Sequence, residues 1–184
     1  MTTVMVGPHD GDWTVDDLDG LPNDGRRYEL FDGVLVVSPA PVKSHQRAVG
    51  SLYTALRAAC PAELEVFFAP LDYQPTRRRS FQPDVLVVPR DDPGEKAITG
   101  PPVLVVEVTS PSTRSKDLVQ KRDLYQSSGV AHYWLVDPAD ATFLAYELVD
   151  GGYRLVATAE GTQTVELTRP FPVAVCPADL IAGR

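Results

Sequence analysis

The sequence predicts one α/β domain whose central strands are buried on both faces. Residues 85–88 and 103–106 are apolar throughout and rich in β-branched valine, which is typical of strands covered on both sides. Between residues 48 and 60, apolar side chains recur every three or four positions, the spacing of an amphipathic helix. A third signal is Asp32-Gly33, which lies between two strand-like runs and predicts a hairpin, since both residues tolerate the positive φ of a tight turn.

The other elements follow from the same rules. Ser44 is the expected N-cap of the first helix, and Pro61 prevents its continuation. A second helix is expected from about residue 115 to Ser128, where Gly129 ends it. The predicted strands, in chain order, are 27–31, 34–37, 64–73, 85–88, 103–106 and 133–136, with short antiparallel strands near 143–148, 153–158 and 164–167 at the C-terminal end.

Charge divides the 184 residues unevenly. Lys and Arg number 17 against 25 Asp and Glu, for a net charge of −8, and residues 1–25 hold six Asp and no Lys or Arg. We therefore expect an acidic lead-in over residues 1–25 and a single domain over residues 26–184. No apolar run approaches the roughly 20 residues of a membrane span, no secretory signal is recognisable, and Cys60 and Cys176 lack metal-type spacing. These features predict a cytoplasmic protein with reduced cysteines and no membrane partner.

Two carboxylates fall inside the predicted central strands. Asp84 opens the first strand and Glu107 interrupts the second. Because an ionised carboxylate buried without a partner costs several kcal/mol, cationic groups should compensate both acids. The alternative is that each acid lies at a strand end in water or pairs with an arginine. We expect Asp84 and Glu107 on adjacent strands, close enough to share one cation.

Lys121 lies where an apolar residue is expected. At about 100° per residue, Leu118, Lys121 and Tyr125 fall within about 60° of one another on the second helix, which places the lysine in the sheet-facing stripe. We expect its ammonium group to point into the cleft that holds the two acids. The alternative is a surface ion pair with Asp117 at i,i+4 spacing.

Two carboxylates with a nearby lysine suit phosphodiester hydrolysis. Carboxylates bind a hard divalent cation such as Mg²⁺ or Mn²⁺, which polarises a phosphoryl oxygen and lowers the pKa of a bound water. An ammonium group positions that water or offsets the charge of the transition state. The pattern predicts metal-dependent hydrolysis of a phosphodiester bond.

The residues around this constellation resemble the PD-(D/E)XK nuclease signature. Pro83-Asp84 is followed by Glu107-Val108-Thr109, with Thr109 where the signature has lysine. In some branches of that superfamily the lysine has moved to the next helix, where Lys121 lies. An ordered set of motifs over about residues 27–148 resembles the Uma family of restriction-endonuclease-like bacterial proteins. These motifs include Tyr28-Glu29-Leu30, Ser38-Pro39 with His45, Gln82-Pro83-Asp84-Val85, Ser110-Pro111-Ser112-Thr113 and Tyr133-Trp134-Leu135-Val136-Asp137.

The resemblance implies a restriction-endonuclease-like αβββαβ core, in which helices flank a mixed central sheet. It implies Asp84, Glu107 and the backbone carbonyl of Val108 as ligands of Mg²⁺ or Mn²⁺, and Lys121 as the catalytic lysine. It also implies supporting catalytic roles for Glu29 and His45. Two alternatives stay open, namely that Glu29 is an exposed strand residue paired with Arg27 and that His45 is a simple surface histidine.

Two functions from different classes are compatible with the sequence. The first, which the resemblance implies, is a Mg²⁺-dependent endonuclease acting on nucleic acid, with DNA as the favoured substrate and a homodimer as the expected assembly. The second is a catalytically silent binding or regulatory module that keeps the nuclease fold. The two carboxylates and the lysine favour the first, whereas the acidic net charge and the displaced lysine favour the second. The basic turn Arg77-Arg78-Arg79 is either solvated or a DNA contact.

Overall fold

A computed structural model describes residues 3–4, 11–109 and 116–182 of the chain. The strands are β1 (Thr3–Val4), β2 (Arg27–Phe31), β3 (Val34–Ser38), β4 (Leu64–Phe68), β5 (Asp72–Thr76), β6 (Arg79–Phe81), β7 (Val85–Pro89), β8 (Ala97–Ile98), β9 (Leu104–Val108), β10 (His132–Asp137), β11 (Thr142–Val149), β12 (Gly152–Glu160), β13 (Val165–Leu167) and β14 (Val173–Val175). The helices are α1 (Val15–Leu18), α2 (Lys43–Ala59), α3 (Lys116–Ser127) and α4 (Pro177–Ile181).

The central sheet has six strands in the order β12-β11-β10-β9-β7-β4. Strands β9 and β10 are parallel, and the other neighbours are antiparallel. One face of the sheet packs against α2, α4 and the β13–β14 ribbon, and the other packs against α3, β5 and β6. Strand β9 is buried along its whole length. The mixed sheet with helices on both faces confirms the predicted fold class.

A second six-stranded sheet contains the predicted N-terminal hairpin. Its order is β1-β3-β2-β6-β5-β8, and the turn between β2 and β3 has φ of 53° at Asp32 and 87° at Gly33. Both values lie in the left-handed region that the sequence requires of a tight hairpin turn. Strand β2 also pairs with β6 at Leu30 and Ser80, which brings the start of β2 toward the residues that precede β7.

Two local predictions are wrong. Residues 64–73 form two strands in different sheets, β4 and β5, because Pro70 between them has no N–H for a continuous ladder. Helix α2 begins at Lys43 after Val42, without a side-chain cap, so Ser44 lies inside its first turn. The C-terminal strands β11 and β12 are antiparallel as predicted, and they extend the central sheet. The motif Ser110-Pro111-Ser112-Thr113 lies outside the described residues.

The described part of the N-terminal acidic segment packs onto the hairpin. Trp13, Val15, Leu18 and Leu21 contact a buried cluster of Leu30, Leu35 and Val37. Each arginine of the basic turn pairs with a carboxylate, since Arg77 contacts Asp16, Arg78 contacts Asp12 at 2.6 Å, and Arg79 contacts Asp32 at 2.6 Å. Cys60 and Cys176 are free thiols. Within the described ranges, no helix has the length and apolarity needed to cross a bilayer.

Candidate active site

Asp84 and Glu107 lie opposite each other on one face of the central sheet. Strands β7 and β9 pair with Val85 opposite Val106, and continuing that antiparallel register by one residue brings Asp84 opposite Glu107. Their exposed fractions are 1% and 4%. Because side chains alternate along a strand, both acids share the face that packs against α3. The predicted placement on adjacent strands is confirmed.

The carboxylate of Asp84 accepts three hydrogen bonds. Arg27 Nη2 donates to Oδ1 at 2.8 Å, while His45 Nε2 and the backbone N–H of Val108 donate to Oδ2 at 3.1 and 2.8 Å. Burial alone would raise the pKa of Asp84, but the hydrogen bond from His45 and the charge of Arg27 outweigh it and hold that pKa below its usual range. Asp84 is therefore an ionised carboxylate that accepts a hydrogen bond at each of its two oxygens.

The carboxylate of Glu107 is held by two side chains of α3. Lys121 Nζ lies 3.1 Å from Oε1 and 3.3 Å from Oε2, and the hydroxyl of Tyr125 donates to Oε1 at 2.6 Å. Burial raises the pKa of Glu107; Lys121 opposes the rise, and the nearby charges of Asp84 and Glu29 add to it. The two acids thus have pKa values shifted in opposite directions, which is a common arrangement where two carboxylates do different work.

Lys121 joins Glu107 to Glu29. Its Nζ lies 2.9 Å from Glu29 Oε1, which also accepts the backbone N–H of Gln82 at 2.9 Å. Burial lowers the pKa of Lys121, but the charges of Glu107 and Glu29 overcome this effect and raise it above its ordinary value. The ammonium group therefore remains positively charged. It lies in the cleft, which is the position that the helix stripe predicted.

Three surface alternatives for these residues are wrong. Lys121, Glu29 and His45 expose only 7%, 2% and 7% of their surface. Lys121 points inward, where its ammonium group contacts Glu29 and Glu107. Glu29 pairs with Lys121, which leaves Arg27 to pair with Asp84.

Arg27 and Tyr125 belong to the cluster, but the sequence analysis did not identify either of them as a site residue. Arg27 shares a strand face with Glu29, two residues away, so that pair was the local expectation, whereas its partner Asp84 is 57 residues distant. Tyr125 was placed in the apolar stripe of its helix. The available signal was its i,i+4 spacing from Lys121, which directs both polar tips toward one target.

The oxygen donors of the cluster suit a hard divalent cation. Mg²⁺ is usually bound by one or two carboxylates together with waters, and Asp84, Glu107 and the carbonyl of Val108 are all hard oxygen ligands on neighbouring strands. Over the described ranges, no group of three or more His, Cys, Asp or Glu side chains forms a ready-made metal cluster. The three carboxylates and the two cations Arg27 and Lys121 leave a formal charge of −1 on the cluster, so its chemistry fits a cation.

Comparison with known families decides the relationship. The family model Uma2, described as "Putative restriction endonuclease", matches residues 15–179. The chain belongs to the Uma2 family. A crystal structure of a "putative nuclease belonging to DUF820" from Anabaena variabilis ATCC 29413 is 19% identical in sequence and superposes with a TM-score of 0.72, covering 92% of this chain and 98% of that one. That likeness shows a shared fold. No curated protein matches the chain.

Two buried polar atoms border the cluster in this Uma2 protein without a hydrogen-bond partner. They are Nδ1 of His45 and Oγ1 of Thr109. His45 already contacts Asp84 through its other ring nitrogen, and Thr109 follows Glu107 on the same strand face. Since buried polar atoms are normally hydrogen-bonded, the Thr109 hydroxyl is free to donate to a water or a phosphate oxygen at the edge of the cleft. His45 Nδ1 is free to accept from a water, because Nε2 is the nitrogen that donates to Asp84.

Proposed function

We propose that this Uma2 protein is a divalent-metal-dependent endonuclease that hydrolyses phosphodiester bonds in nucleic acid, with DNA as the favoured substrate. The observation that carries the proposal is the pairing of Asp84 with Glu107 on one sheet face, with the Lys121 ammonium 3.1 Å from Glu107. Membership of a family described as "Putative restriction endonuclease" supports the same reaction class.

Asp84, Glu107 and the backbone carbonyl of Val108 would hold Mg²⁺ or Mn²⁺. Such an ion, when bound, would polarise a phosphoryl oxygen and lower the pKa of a coordinated water. The hydrogen bond from the Val108 N–H to Asp84 supports this assignment, since it fixes the carboxylate against the strand whose carbonyl would complete the ligand set.

The remaining side chains would orient groups and balance charge. Lys121 would position the attacking water and offset charge on the phosphoryl oxygens, and Glu29 would hold Lys121 in place. His45 would hold Asp84 through Nε2, and its free Nδ1 would accept a hydrogen bond from a water at the edge of the cleft. Arg27, whose side chain is 19% exposed, would neutralise the substrate phosphate from the solvent side of the cleft.

A homodimer in the cytoplasm is part of this proposal. Each chain has one such cluster among its described residues, whereas cutting both strands of a duplex requires two. A two-fold symmetric pair of identical chains is the commonest way for a protein to present two equivalent sites. Light scattering in the presence and absence of duplex DNA measures whether two chains assemble.

A second candidate is the catalytically silent nucleic-acid-binding module. The observation that favours it is internal neutralisation, because Arg27 contacts Asp84 at 2.8 Å and Lys121 contacts Glu107 at 3.1 Å. An ion would have to displace at least one of these contacts. Metal binding and catalysis therefore distinguish the two candidates.

The experiment combines a cleavage screen with a melting assay. Single-stranded and duplex DNA and RNA are incubated with the wild-type protein and millimolar Mg²⁺ or Mn²⁺, beside Asp84→Asn and the control Asp150→Asn in an exposed turn. We expect cleavage by the wild type and by Asp150→Asn, a loss of at least about 10²-fold in Asp84→Asn, and a metal-dependent rise in melting temperature that only Asp84→Asn lacks.

Three other results would contradict the proposal. Cleavage by Asp84→Asn at the wild-type rate would exclude this carboxylate from the reaction. Equal melting shifts in all variants would mean that the metal binds elsewhere, such as on acidic residues 1–25. Nucleic-acid binding without cleavage under any condition would favour the silent module.

A further inference from the structure

One flank of α2 and the end of β4 form a surface beside the carboxylate cluster, which we call the α2–β4 surface. Val42, Gln46 and Tyr53 fall within about 40° of one another at about 100° per residue, so they share one flank. Phe68 ends the neighbouring strand β4. Val42 and Phe68 are 55% and 51% exposed, so both apolar side chains face solvent.

The α2–β4 surface adjoins the backbone of Asp84. Phe68 lies opposite Val85 in the β4–β7 register, and the next backbone N–H, that of Ala69, donates to the carbonyl of Asp84 at 3.2 Å. From the helix side, His45 contacts the Asp84 carboxylate at 3.1 Å. The Asp84 carboxylate lies on the α3 face of the sheet and Phe68 lies on the α2 face. A polymer bound at Asp84 therefore reaches the α2–β4 surface by passing His45 and the end of β4.

The two aromatic rings of the surface are arranged as a supported platform. The rings of Tyr53 and Phe68 have centroids 4.8 Å apart at an interplanar angle of 67°, so Tyr53 meets Phe68 edge to face. An edge-to-face partner fixes the ring of Phe68 by its contact, while about half of the Phe68 surface remains open to solvent. A fixed and open aromatic face is the feature on which nucleic-acid bases stack.

Charge distinguishes α2 from the rest of the chain. The helix carries Lys43, Arg47 and Arg57 and no Asp or Glu, although the whole chain has a net charge of −8. Lys43 and Arg47 are exposed in its first two turns, on the solvent side of the helix and about 160° around its axis from His45. A basic helix beside the cluster complements a phosphate backbone and opposes an acidic partner.

We propose that the α2–β4 surface binds a single nucleic-acid strand and that an unpaired base next to the cluster stacks on Phe68. This inference rests on the proposed nuclease function and adds to it a preference for unpaired or unstacked bases beside the scissile phosphate. Lys43 and Arg47 contact the backbone of the same strand. The substrate class is therefore single-stranded, flapped or locally opened nucleic acid.

The test measures binding of labelled single-stranded DNA by fluorescence anisotropy in EDTA, so that no strand is cut. A fully abasic strand of equal length serves as the second probe. The variants are Phe68→Ala, Phe68→Trp, the pair Lys43→Gln with Arg47→Gln, and the control Leu155→Ala, since Leu155 is 49% exposed on β12 at the opposite edge of the same sheet.

We expect Phe68→Ala to weaken binding of the base-containing strand roughly 5- to 150-fold, the effect of removing one stacking ring. Binding of the abasic strand should not change, and Phe68→Trp and Leu155→Ala should bind like the wild type. The double Lys43 and Arg47 variant should lower the slope of log affinity against log salt by about 1.4, since each lost contact to a single strand removes about 0.7.

The contrary outcomes separate this inference from the nuclease proposal. If the wild type binds both probes and Phe68→Ala binds them equally well, the stacking site is excluded and the nuclease proposal is unaffected. If the wild type binds no single-stranded DNA in EDTA, the stacking site is excluded, and the cleavage screen with Mg²⁺ or Mn²⁺ decides the nuclease proposal separately. If light scattering shows a wild-type dimer that Phe68→Ala converts to a monomer, the surface is an interface between two copies and the inference is overturned.

Discussion

Tyr125 donates a 2.6 Å hydrogen bond to Glu107 inside the core, where their exposed fractions are 0% and 4%. Lys121, one turn earlier on the same helix, approaches the same carboxylate oxygen at 3.1 Å. Helix α3 thus holds a side chain that belongs to strand β9. The orientation of Glu107 depends on how this helix packs on the sheet.

Replacing Tyr125 by Phe should lower the free energy of unfolding by about 1.5–3 kcal/mol, because a buried carboxylate loses a hydrogen bond and gains no water. The control is Tyr73→Phe, whose hydroxyl donates to the uncharged carbonyl of Ser128 at 3.2 Å in a part-buried contact, and here about 0.5–1.5 kcal/mol is expected. Urea denaturation of both variants gives the comparison. A smaller loss in Tyr125→Phe than in Tyr73→Phe would show that the Glu107 hydrogen bond adds nothing.

Replacing Lys121 by Ala should destabilise the fold by about 3–5 kcal/mol, since Glu107 and Glu29 would then lack their shared buried cation. In the nuclease assay the same change should cost about 10²–10³ in rate. The neighbouring Arg122→Ala, on the outer side of α3, should change stability by less than about 1 kcal/mol.

A second lysine position tests whether one cleft serves both functions of Lys121. Thr109 shares a strand face with Glu107, so Thr109→Lys in the Lys121→Ala background should restore part of the stability and part of the rate. Full activity of Lys121→Ala alone would mean that this lysine has a structural role only. Circular dichroism establishes that each variant is folded before rates are compared.

The lowered pKa of Asp84 predicts how stability depends on pH. A carboxyl whose folded pKa is depressed stabilises the fold above its unfolded value of about 3.9, and that contribution disappears as the pH falls through the folded pKa. The stability difference between wild type and Asp84→Asn should therefore be present at neutral pH and shrink below about pH 4. Chemical denaturation across this range, with Asp150→Asn as the control for general pH effects, measures it. A difference that grows on acidification would contradict the assignment.

The acidic N-terminal segment should be anchored by apolar contacts and not by its ion pairs. Leu18→Ala should cost about 1–2 kcal/mol, below the range for a fully buried leucine, because Leu18 packs only partly buried on the hairpin cluster. Asp16→Asn should cost less than about 1 kcal/mol, since Asp16 and its partner Arg77 are 68% and 75% exposed. Thermal melts at low and high salt measure both. If Asp16→Asn lowered stability more than Leu18→Ala, ion pairs and not apolar contacts would hold the segment on the domain.

The strands and helices that could be predicted are those with a strong local signal. Uniform apolar runs gave β7 and β9, and the spacing of residues 48–60 gave α2. The misplaced polar residues Asp84, Glu107 and Lys121 pointed to the cluster because a buried charge has few stable solutions other than an opposite charge. Each of these predictions depends on a local feature, namely an apolar pattern or a charged residue at a buried position, that can be read directly from the sequence.

The parts that could not be predicted depend on distant contacts. Arg27 had Glu29 as its local neighbour, and only the pairing of β2 with β6 brings it to Asp84 instead. The strand predicted over residues 64–73 is in fact two strands in different sheets. The local sequence pattern is the same for this arrangement and for one interrupted strand. The free flank of α2 is likewise visible only once β4 is known to lie beside it.

The hydrogen bonds of the cluster span 14 to 57 residues of chain, and this spacing bears on how the protein is synthesised. Arg27, His45 and Asp84 leave the ribosome well before Lys121, so a nascent chain that ends ahead of α3 lacks the cation that Glu29 and Glu107 share. Domains fold as units during translation once their last essential element has emerged. The complete cluster therefore forms only after α3 has been synthesised. Translation products that end earlier contain Glu29, Asp84 and Glu107 but lack Lys121.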